Sequence, residues 1–315
     1  MKVTTAINVA GTKSFRLSCS KLFGTIGLNL QNPPKEFLEC CAPSHKDWVF
    51  CQVDQDGAES MVVAYEAQRG RYRRLIELGV KPHLYVALQL FPERFCHEHK
   101  TSRYTNIEPD DLVRLPEWPK LKKEIKSAEI EYYLGKVTNH ARSYRMRWPT
   151  FRVTVLYQTG GRVALSADEA RRFLRMWDNL FPEIIDWQGK IEKQVHDTRK
   201  LRNLFGFERT FYGLYNDNLV REAISWIPQS TVGTITNIAF TKLFNFIEEH
   251  GKNWWLLGNK HDSYWLECPE AEAEEALRTM REFINMELTS SNGEKYRMRS
   301  TGYIGKDLLN LDEKP

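Results

Sequence analysis

The sequence has no long apolar run, no cysteine framework and no strong excess of either charge. No stretch of its 315 residues approaches the roughly 18 uninterrupted apolar residues of a membrane span. The opening MKVTTAINVAGTK lacks the apolar core of a secretion signal. These absences set the expectation of a cytoplasmic protein with no membrane partner. Six cysteines, Cys19, Cys40, Cys41, Cys51, Cys96 and Cys268, are scattered without regular spacing, the pattern of reduced packing thiols rather than of disulfides. Cys96, His97 and His99 in FCHEHK lack the CxxC or HxxxH spacing of a structural zinc site and read as a polar loop after the apolar run ending at Phe91. A formal net charge of +4 is too small to single out nucleic acid among acidic partners, so local patches must carry any such reading. Internal repeats, low-complexity tracts and flexible linkers are missing too.

What is present is enough to bury a sizeable core: 42% of residues are hydrophobic and 27% charged, over a length that suggests two lobes. Asp47 to Asp54 (DWVFCQVD) reads as a buried strand that delivers a carboxylate to its end. GAESMVVAYEAQRGRYRRLIELG reads as one helical stretch closed by Gly79. Most of the segment between Pro119 and Pro149 reads as a long helix. Gly160 and Gly161 are expected to turn between two short strands, and Ser166 with Glu169 forms a capping-box pattern that starts another helix. A helix is expected from Val220 to about Glu249. WWLLGNKHDSYWLEC then reads as a hairpin with His261 and Asp262 at its turn, followed by a C-terminal helix in PEAEAEEALRTMREFINMEL. This order is a mixed α+β chain rather than a repeating βαβ one.

Two acidic residues far apart in sequence, Asp54 at a strand end and Asp262 in a turn, are candidates to meet over a sheet and hold divalent metals with hard oxygen ligands. Carboxylates at strand ends are ordinarily just solvated, so the pairing acquires meaning only from its surroundings.

Those surroundings resemble family A DNA polymerases, in order, from Arg16 to about Gly305. RLSCS with GLNLQNPPK is similar to the family's RLSSS and NLQNIP stretch along the primer-template duplex, which implies DNA contacts by Arg16, Asn29, Gln31 and Asn32. VDQDGAESMVVAYEA resembles motif A. It places Asp54 as a metal ligand, Gln55 as a backbone-carbonyl ligand, and Glu59 as the residue that excludes a ribose 2′-hydroxyl, for which a carboxylate under the sugar leaves no room. GKVTNHARSYRM resembles motif B on the fingers helix. There Lys136 is implied to neutralise triphosphate oxygens as a catalytic residue, and His140 and Tyr144 to contact the nucleotide. On a helix Lys136, Asn139, His140, Ser143 and Tyr144 are expected to share one face. RKLRNLFGFERTF and REAISWIPQST resemble later family segments and imply DNA contacts by Arg209, Arg221 and Gln229. Such minor-groove contacts check pairing geometry without reading sequence. KHDSYWLEC resembles motif C, making Asp262 the second catalytic metal ligand with His261 beside it among the DNA contacts.

The chain departs from the family at Tyr132, where an arginine is usual, at His140, where an aromatic is usual, at Arg145, where a glycine is usual, and at Ser263, where many members have glutamate. Arg142 and Arg145 are both placed to supply the missing charge, and the sequence does not choose between them.

The resemblance implies an α+β fold: a palm with an antiparallel sheet in residues 1–66 and 251–315, and a mainly helical fingers part in residues 67–250. It implies a template-directed DNA polymerase that adds deoxynucleotides to a primer end with two Mg²⁺ ions, or Mn²⁺, and whose partners are primer-template DNA and deoxynucleoside triphosphates. Fifteen residues precede Arg16, where the family has a thumb and often a proofreading exonuclease. The expectation is therefore that thumb and exonuclease are absent, and that this is one chain of a split, phage-type replicase whose partner subunit supplies them. The alternative is a polymerase-like DNA-binding subunit without catalysis. A single-subunit RNA polymerase is disfavoured by Glu59, and a metal-dependent nuclease gives no reason for the lysine-bearing helix.

Overall fold

The computed structural model describes residues 6–8, 12–16, 18–20, 35–96 and 103–314. Asn29, Gln31 and Asn32, with His97 and His99, lie outside the described residues. The chain divides into two compact units. One comprises Met1–Glu59, Arg202–Glu208 and Trp226–Pro315; the other comprises Ser60–Leu201 and Arg209–Ser225.

The first unit is organised on a five-stranded antiparallel sheet. Its spatial order is Asp312–Lys314, Ser300–Gly305, Trp48–Gln55, Ser263–Pro269 and Trp255–Lys260. Trp48–Gln55 is central, and its apolar run explains the position: Trp48, Val49, Phe50, Cys51 and Val53 are all buried. The helix Ala273–Ile284 packs on this sheet through an apolar stripe of Ala273, Ala276, Leu277, Met280 and Ile284, spaced by three and four. Gly302 permits the approach, since a Cβ there would stand 2.8 Å from the Leu277 side chain. Cys51 and Cys268 are buried free thiols with their sulfurs 3.8 Å apart, packing residues as expected.

The hairpin expected around GNKHDS is present. Lys260 pairs with Ser263, leaving His261 and Asp262 as a two-residue turn, with His261 in the left-handed region (φ 57°). The long helix runs Asp217–His250, with Pro228 inside it and Asn216 capping its start: the Asn216 side-chain oxygen accepts from the N–H groups of Asn218 and Leu219, each at 3.0 Å.

The second unit is helical. Two stretches expected to be single helices are each two. Ala58–Glu66 stops before Gly70, whose extended backbone starts a separate helix, Arg71–Glu77. Gly70 sits against the buried Glu183 side chain, which accepts the Tyr72 N–H at 2.7 Å, so burial of this carboxylate sets the break. Gly79 closes that second helix as expected, with φ 70° and the paired bonds Gly79 N–H to Ile76 and Val80 N–H to Leu75. Likewise Trp118–Ser127 and Glu129–Ser143 are separated at Ala128, where ψ is 82°. Each half buries its own apolar residues: Trp118, Leu121 and Ile125 in the first, Leu134, Val137 and Ala141 in the second.

The two strands expected around Gly160 and Gly161 are absent. Trp148–Gln158 is a helix, started by Pro149 and anchored by buried Phe151 and Val155, so packing overrides the β-branched content. The two glycines end that helix instead, with φ 58° and 82°. Ser166 and Glu169 make the expected capping box, 3.1 and 2.8 Å, ahead of Ala167–Leu180. Tyr72, Trp177 and Phe181 form the aromatic centre of the unit, with ring centroids 5.0 to 6.3 Å apart.

Candidate active site

In the first unit, Asp54 is the next-to-last residue of the central strand, paired across to Ser263 on one side and Thr301 on the other. Asp262 directly precedes Ser263. The Gln55 N–H donates to the Asp262 carbonyl at 3.1 Å, which fastens the strand end to the hairpin turn. The fold thus brings the two aspartates, distant in sequence, to adjoining positions at one end of the sheet, both half-buried.

The Gln55 side chain is buried and donates to Thr236 Oγ1 at 2.9 Å on the long helix. Thr236 Oγ1 also stands 3.3 Å from the His261 carbonyl. A single hydroxyl therefore ties the long helix to both strand end and turn. Neither of these two bonds uses the Gln55 backbone carbonyl.

Glu59 lies on the first turn of the helix Ala58–Glu66 and forms an ion pair with Arg16. Burial pushes the Asp262 carboxyl above the usual carboxylate range, with the Arg16 charge working against the rise and Glu59 adding to it. Burial likewise lowers the His261 imidazole, with Arg16 contributing in the same direction. Arg16, Glu59, His261 and Asp262 therefore share one electrostatic neighbourhood.

Among the described residues, no group of three or more His, Cys, Asp or Glu side chains stands together as a metal cluster would. The donor set is a pair of half-buried carboxylates rather than a closed cage. It fits a hard, oxygen-seeking ion such as Mg²⁺, which keeps several waters and takes substrate phosphate oxygens to complete its shell.

In the second unit, the helix Glu129–Ser143 divides the residues expected on one face. Lys136 and His140 are exposed, and Tyr144 is half-buried with its ring 5.1 Å from that of His140. Asn139 and Ser143 turn inward instead. Asn139 donates to Tyr72 at 3.3 Å and accepts from the Trp177 indole at 3.0 Å, and Ser143 donates back to the Asn139 carbonyl at 2.8 Å. These two are structural: they satisfy polar groups at the aromatic centre.

Tyr132 stands 3.0 Å from His83 Nε2, on the neighbouring helix Pro82–Leu90. Burial, reinforced by the charges of Lys81, Lys136 and Lys126, pulls His83 down to about 4. Those lysine charges act on His83, while Tyr132 itself is shifted upward by burial alone. The two arginines named for the missing charge are each in an ion pair, Arg142 with Asp178 at 2.7 Å and Arg145 with Glu192 at 2.6 Å. Arg145 also occupies a left-handed position (φ 57°) closing the helix, with Met146 N–H bonded to Ala141 and Arg145 N–H to Arg142. The geometry is one that glycine adopts most easily. His83 escaped the sequence reading because a histidine one residue into a helix after Lys81-Pro82 carries no motif of its own.

Of the remaining expected DNA contacts, Arg209 is engaged internally, in an ion pair with Glu222 and 4.4 Å over the Phe211 ring. Arg221 bonds Asn218. Gln229 is half-buried on the long helix, directly after Pro228. No helix among the described residues is long and apolar enough to cross a membrane.

No family model and no curated protein matches the chain. Among solved structures it is similar to the POL domain of Pol1 from M. smegmatis in complex with DNA primer-template and dNTP. The TM-score is 0.68 at 16% identity, over 98% of this chain and 48% of that one. The chain spans about half the length of the structure it matches. At that identity the likeness speaks for the architecture alone: antiparallel sheet, surrounding helices and long helix together make the fold of a DNA polymerase domain.

Proposed function

We propose that the chain is the catalytic part of a template-directed DNA polymerase of the family A type. The observation that carries this reading is the convergence of Asp54 and Asp262 at one sheet end, locked by the Gln55 to Asp262 bond, on a polymerase fold. The sheet-bearing unit is read as the palm and the helical unit as the fingers. DNA primer-template and deoxynucleoside triphosphates are the proposed ligands.

Asp54 and Asp262, with the Gln55 carbonyl, are the residues that would hold divalent ions. Bound there, such ions supply charge stabilisation of the attacking and departing oxygens. Glu59 takes the space beneath the sugar and rejects a 2′-hydroxyl. Lys136, exposed on its helix, neutralises the triphosphate, with His140 and Tyr144 along the same side. Arg16, Gln229 and His261 are read as facing the duplex.

The test is primer extension with deoxynucleotides and Mg²⁺. Asp54→Ala and Asp262→Ala are each expected to lower the rate by about 10²–10³-fold or more, the scale of losing transition-state charge stabilisation, while duplex binding persists. Extension within about tenfold of wild type by either variant removes the assignment. One observation favours the second reading, a DNA-binding subunit without catalysis: Tyr132 replaces the family's arginine while Arg142 and Arg145 are both neutralised. That reading requires duplex binding with no extension by the wild type. The finer proposals, a phage-type origin and a second chain that completes the grip on the duplex, rest on the sequence resemblance. Titrating candidate replication proteins into the assay and following product length tests the partner.

A further inference from the structure

We infer that Arg16 is a positioning residue that fixes the Glu59 carboxylate, and that the long helix in turn fixes Arg16, so that sugar selection at Glu59 depends on a strap of backbone laid along Trp226 to Asn237. This deepens the gate role proposed for Glu59 and rests on it.

A glutamate on the first turn of a helix has three side-chain torsions and samples many positions in solvent. A steric gate needs one position. Here the Glu59 carboxylate is taken by the guanidinium of Arg16 in an ion pair whose two side chains are only 18% and 24% exposed. A planar guanidinium restricts a carboxylate more than a lysine would, because its donors are held in a fixed fork.

Arg16 can play that part because its own backbone is held at several points. The Trp226 indole N–H donates to the Lys13 carbonyl at 2.7 Å, and Asn237 Nδ2 donates to the Phe15 carbonyl at 2.8 Å. Thr12 Oγ1 donates to the Arg16 carbonyl at 2.6 Å. Between the two helix contacts, Gly233 lets the strap lie directly on the helix: a Cβ there would stand 2.9 Å from the Ser14 carbonyl oxygen and 3.2 Å from Arg16 Cγ. Phe15 adopts φ 60°, a conformation that non-glycine residues rarely take, and its ring sits 5.0 Å from Phe207 and 6.4 Å from Trp226. A strained residue held by packing and two anchored carbonyls marks a segment whose course is dictated by its surroundings. What that course delivers is the Arg16 side chain to Glu59.

Arg16 was expected to touch DNA, and a guanidinium has donors enough for a carboxylate and a base edge together. The two roles separate in measurement. The experiment is the ratio of kcat/KM for deoxynucleotide over ribonucleotide, with the primer-template Kd alongside, for wild type, Glu59→Ala, Arg16→Ala, the double variant, Asn237→Ala and Gly233→Ala. Nucleotide binding to a complex with a chain-terminated primer gives the corresponding ratio of Kd values without turnover.

Glu59→Ala is expected to lower the ratio by about 10- to 100-fold. Arg16→Ala is expected to reproduce at least a tenfold part of that loss, on the same scale of discrimination. The double variant should fall no further than Glu59→Ala alone, since both changes remove one device. Asn237→Ala and Gly233→Ala, which leave the Arg16 and Glu59 side chains in place, should shift the ratio in the same direction, and they keep the test open if Arg16→Ala fails to fold. If Glu59→Ala lowers the ratio and the Arg16, Asn237 and Gly233 variants leave it within about twofold of wild type, a difference of under 0.5 kcal/mol, the positioning role is wrong and the gate stands. An effect of Arg16→Ala on primer-template Kd alone also overturns it, leaving a DNA contact. If Glu59→Ala leaves the ratio unchanged, the gate reading fails and this inference with it.

Discussion

The Gln55 N–H and the Asp262 carbonyl, 3.1 Å apart, join the last residue of the central strand to the turn of the neighbouring hairpin. This bond holds the Asp262 side chain in a half-buried place, where burial raises its carboxyl above the ordinary range. A raised carboxylate is a liability above its pKa: the unfolded chain ionises first as pH rises, so stability falls through the window between the unfolded and folded values. Asp262→Asn keeps the shape and removes the charge. It is expected to raise stability near neutral pH, with the gain shrinking as pH is lowered through the carboxylate range. Thermal melts of both proteins from acid to neutral pH check the sign. A variant less stable than wild type at neutral pH would remove the argument that function, not folding, retains this charge.

Gly135 carries a second expectation. A Cβ at this position would lie 2.6 Å from both the Ala87 Cβ and the His83 carbonyl oxygen, one of them backbone, so the two helices must separate to admit it. Gly135→Ala is therefore expected to destabilise by about 1–3 kcal/mol despite the better helix propensity of alanine. Urea denaturation measures the difference. A stability equal to or above wild type would show that the helices can part at no cost.

Much of the site was legible in the sequence because it depends on local signals. The buried run Trp48 to Val53 and the polar break between two apolar runs at His261 and Asp262 each announce their own element, and the sheet register then brings their carboxylates to adjoining positions. The errors arose where tertiary packing decides. Nothing local marks Ala128 as a break, and Pro149 just ahead of it is the one local helix signal set against the β-branched run FRVTVLY; both outcomes follow from which apolar residues find a buried surface. Asn139 and Ser143 show the same limit at the level of side chains. Spacing placed them with Lys136, but their partners Tyr72 and Trp177 come from elsewhere in the chain. The helix Pro182–Thr198 carries a helical period in Ile184, Trp187, Ile191 and Val195 and a proline at its start, so its signal is local too, whereas the small C-terminal strands Glu287–Thr289 and Lys295–Arg297 are too short to show a period.

His83 is expected to make the protein acid-sensitive in a defined window. Its imidazole is lowered from 6.5 to about 4, by burial first and by Lys81, Lys136 and Lys126 after that. The folded state thus prefers the neutral ring. The stability this contributes is present above the unfolded value and lost as pH falls from about 6.5 towards 4. Its ceiling is about 3 kcal/mol, less whatever solvent screening removes. His83→Gln should flatten the pH dependence of the melting temperature across that window. An unchanged slope, or a ring that titrates near 6.5 by NMR, would count against the burial.

The lysines around His83 and Tyr132 lead to the last expectation, which rests on the proposed nucleotide role of Lys136. Tyr132, beside His83, is a phenol and cannot neutralise phosphate. Three lysines stand near its partner His83: Lys81 at the start of the helix Pro82–Leu90, Lys126 in the last turn of Trp118–Ser127, and Lys136 itself, all exposed and all acting on that histidine. Such ammonium groups act as point charges, so their contribution should be graded and salt-dependent rather than all-or-none. Lys136→Ala is expected to lower kcat/KM for deoxynucleotide by about 10²–10³-fold. Lys81→Ala and Lys126→Ala should each raise KM by about two- to fivefold at low salt, with little change in kcat, because each removes attraction without touching the reacting atoms. Both should also raise the His83 pKa, since each lysine contributes to depressing it. The two readouts separate the causes. A risen histidine pKa with an unchanged KM would leave these lysines as neighbours of His83 only, and an unchanged histidine pKa would remove them from its surroundings altogether.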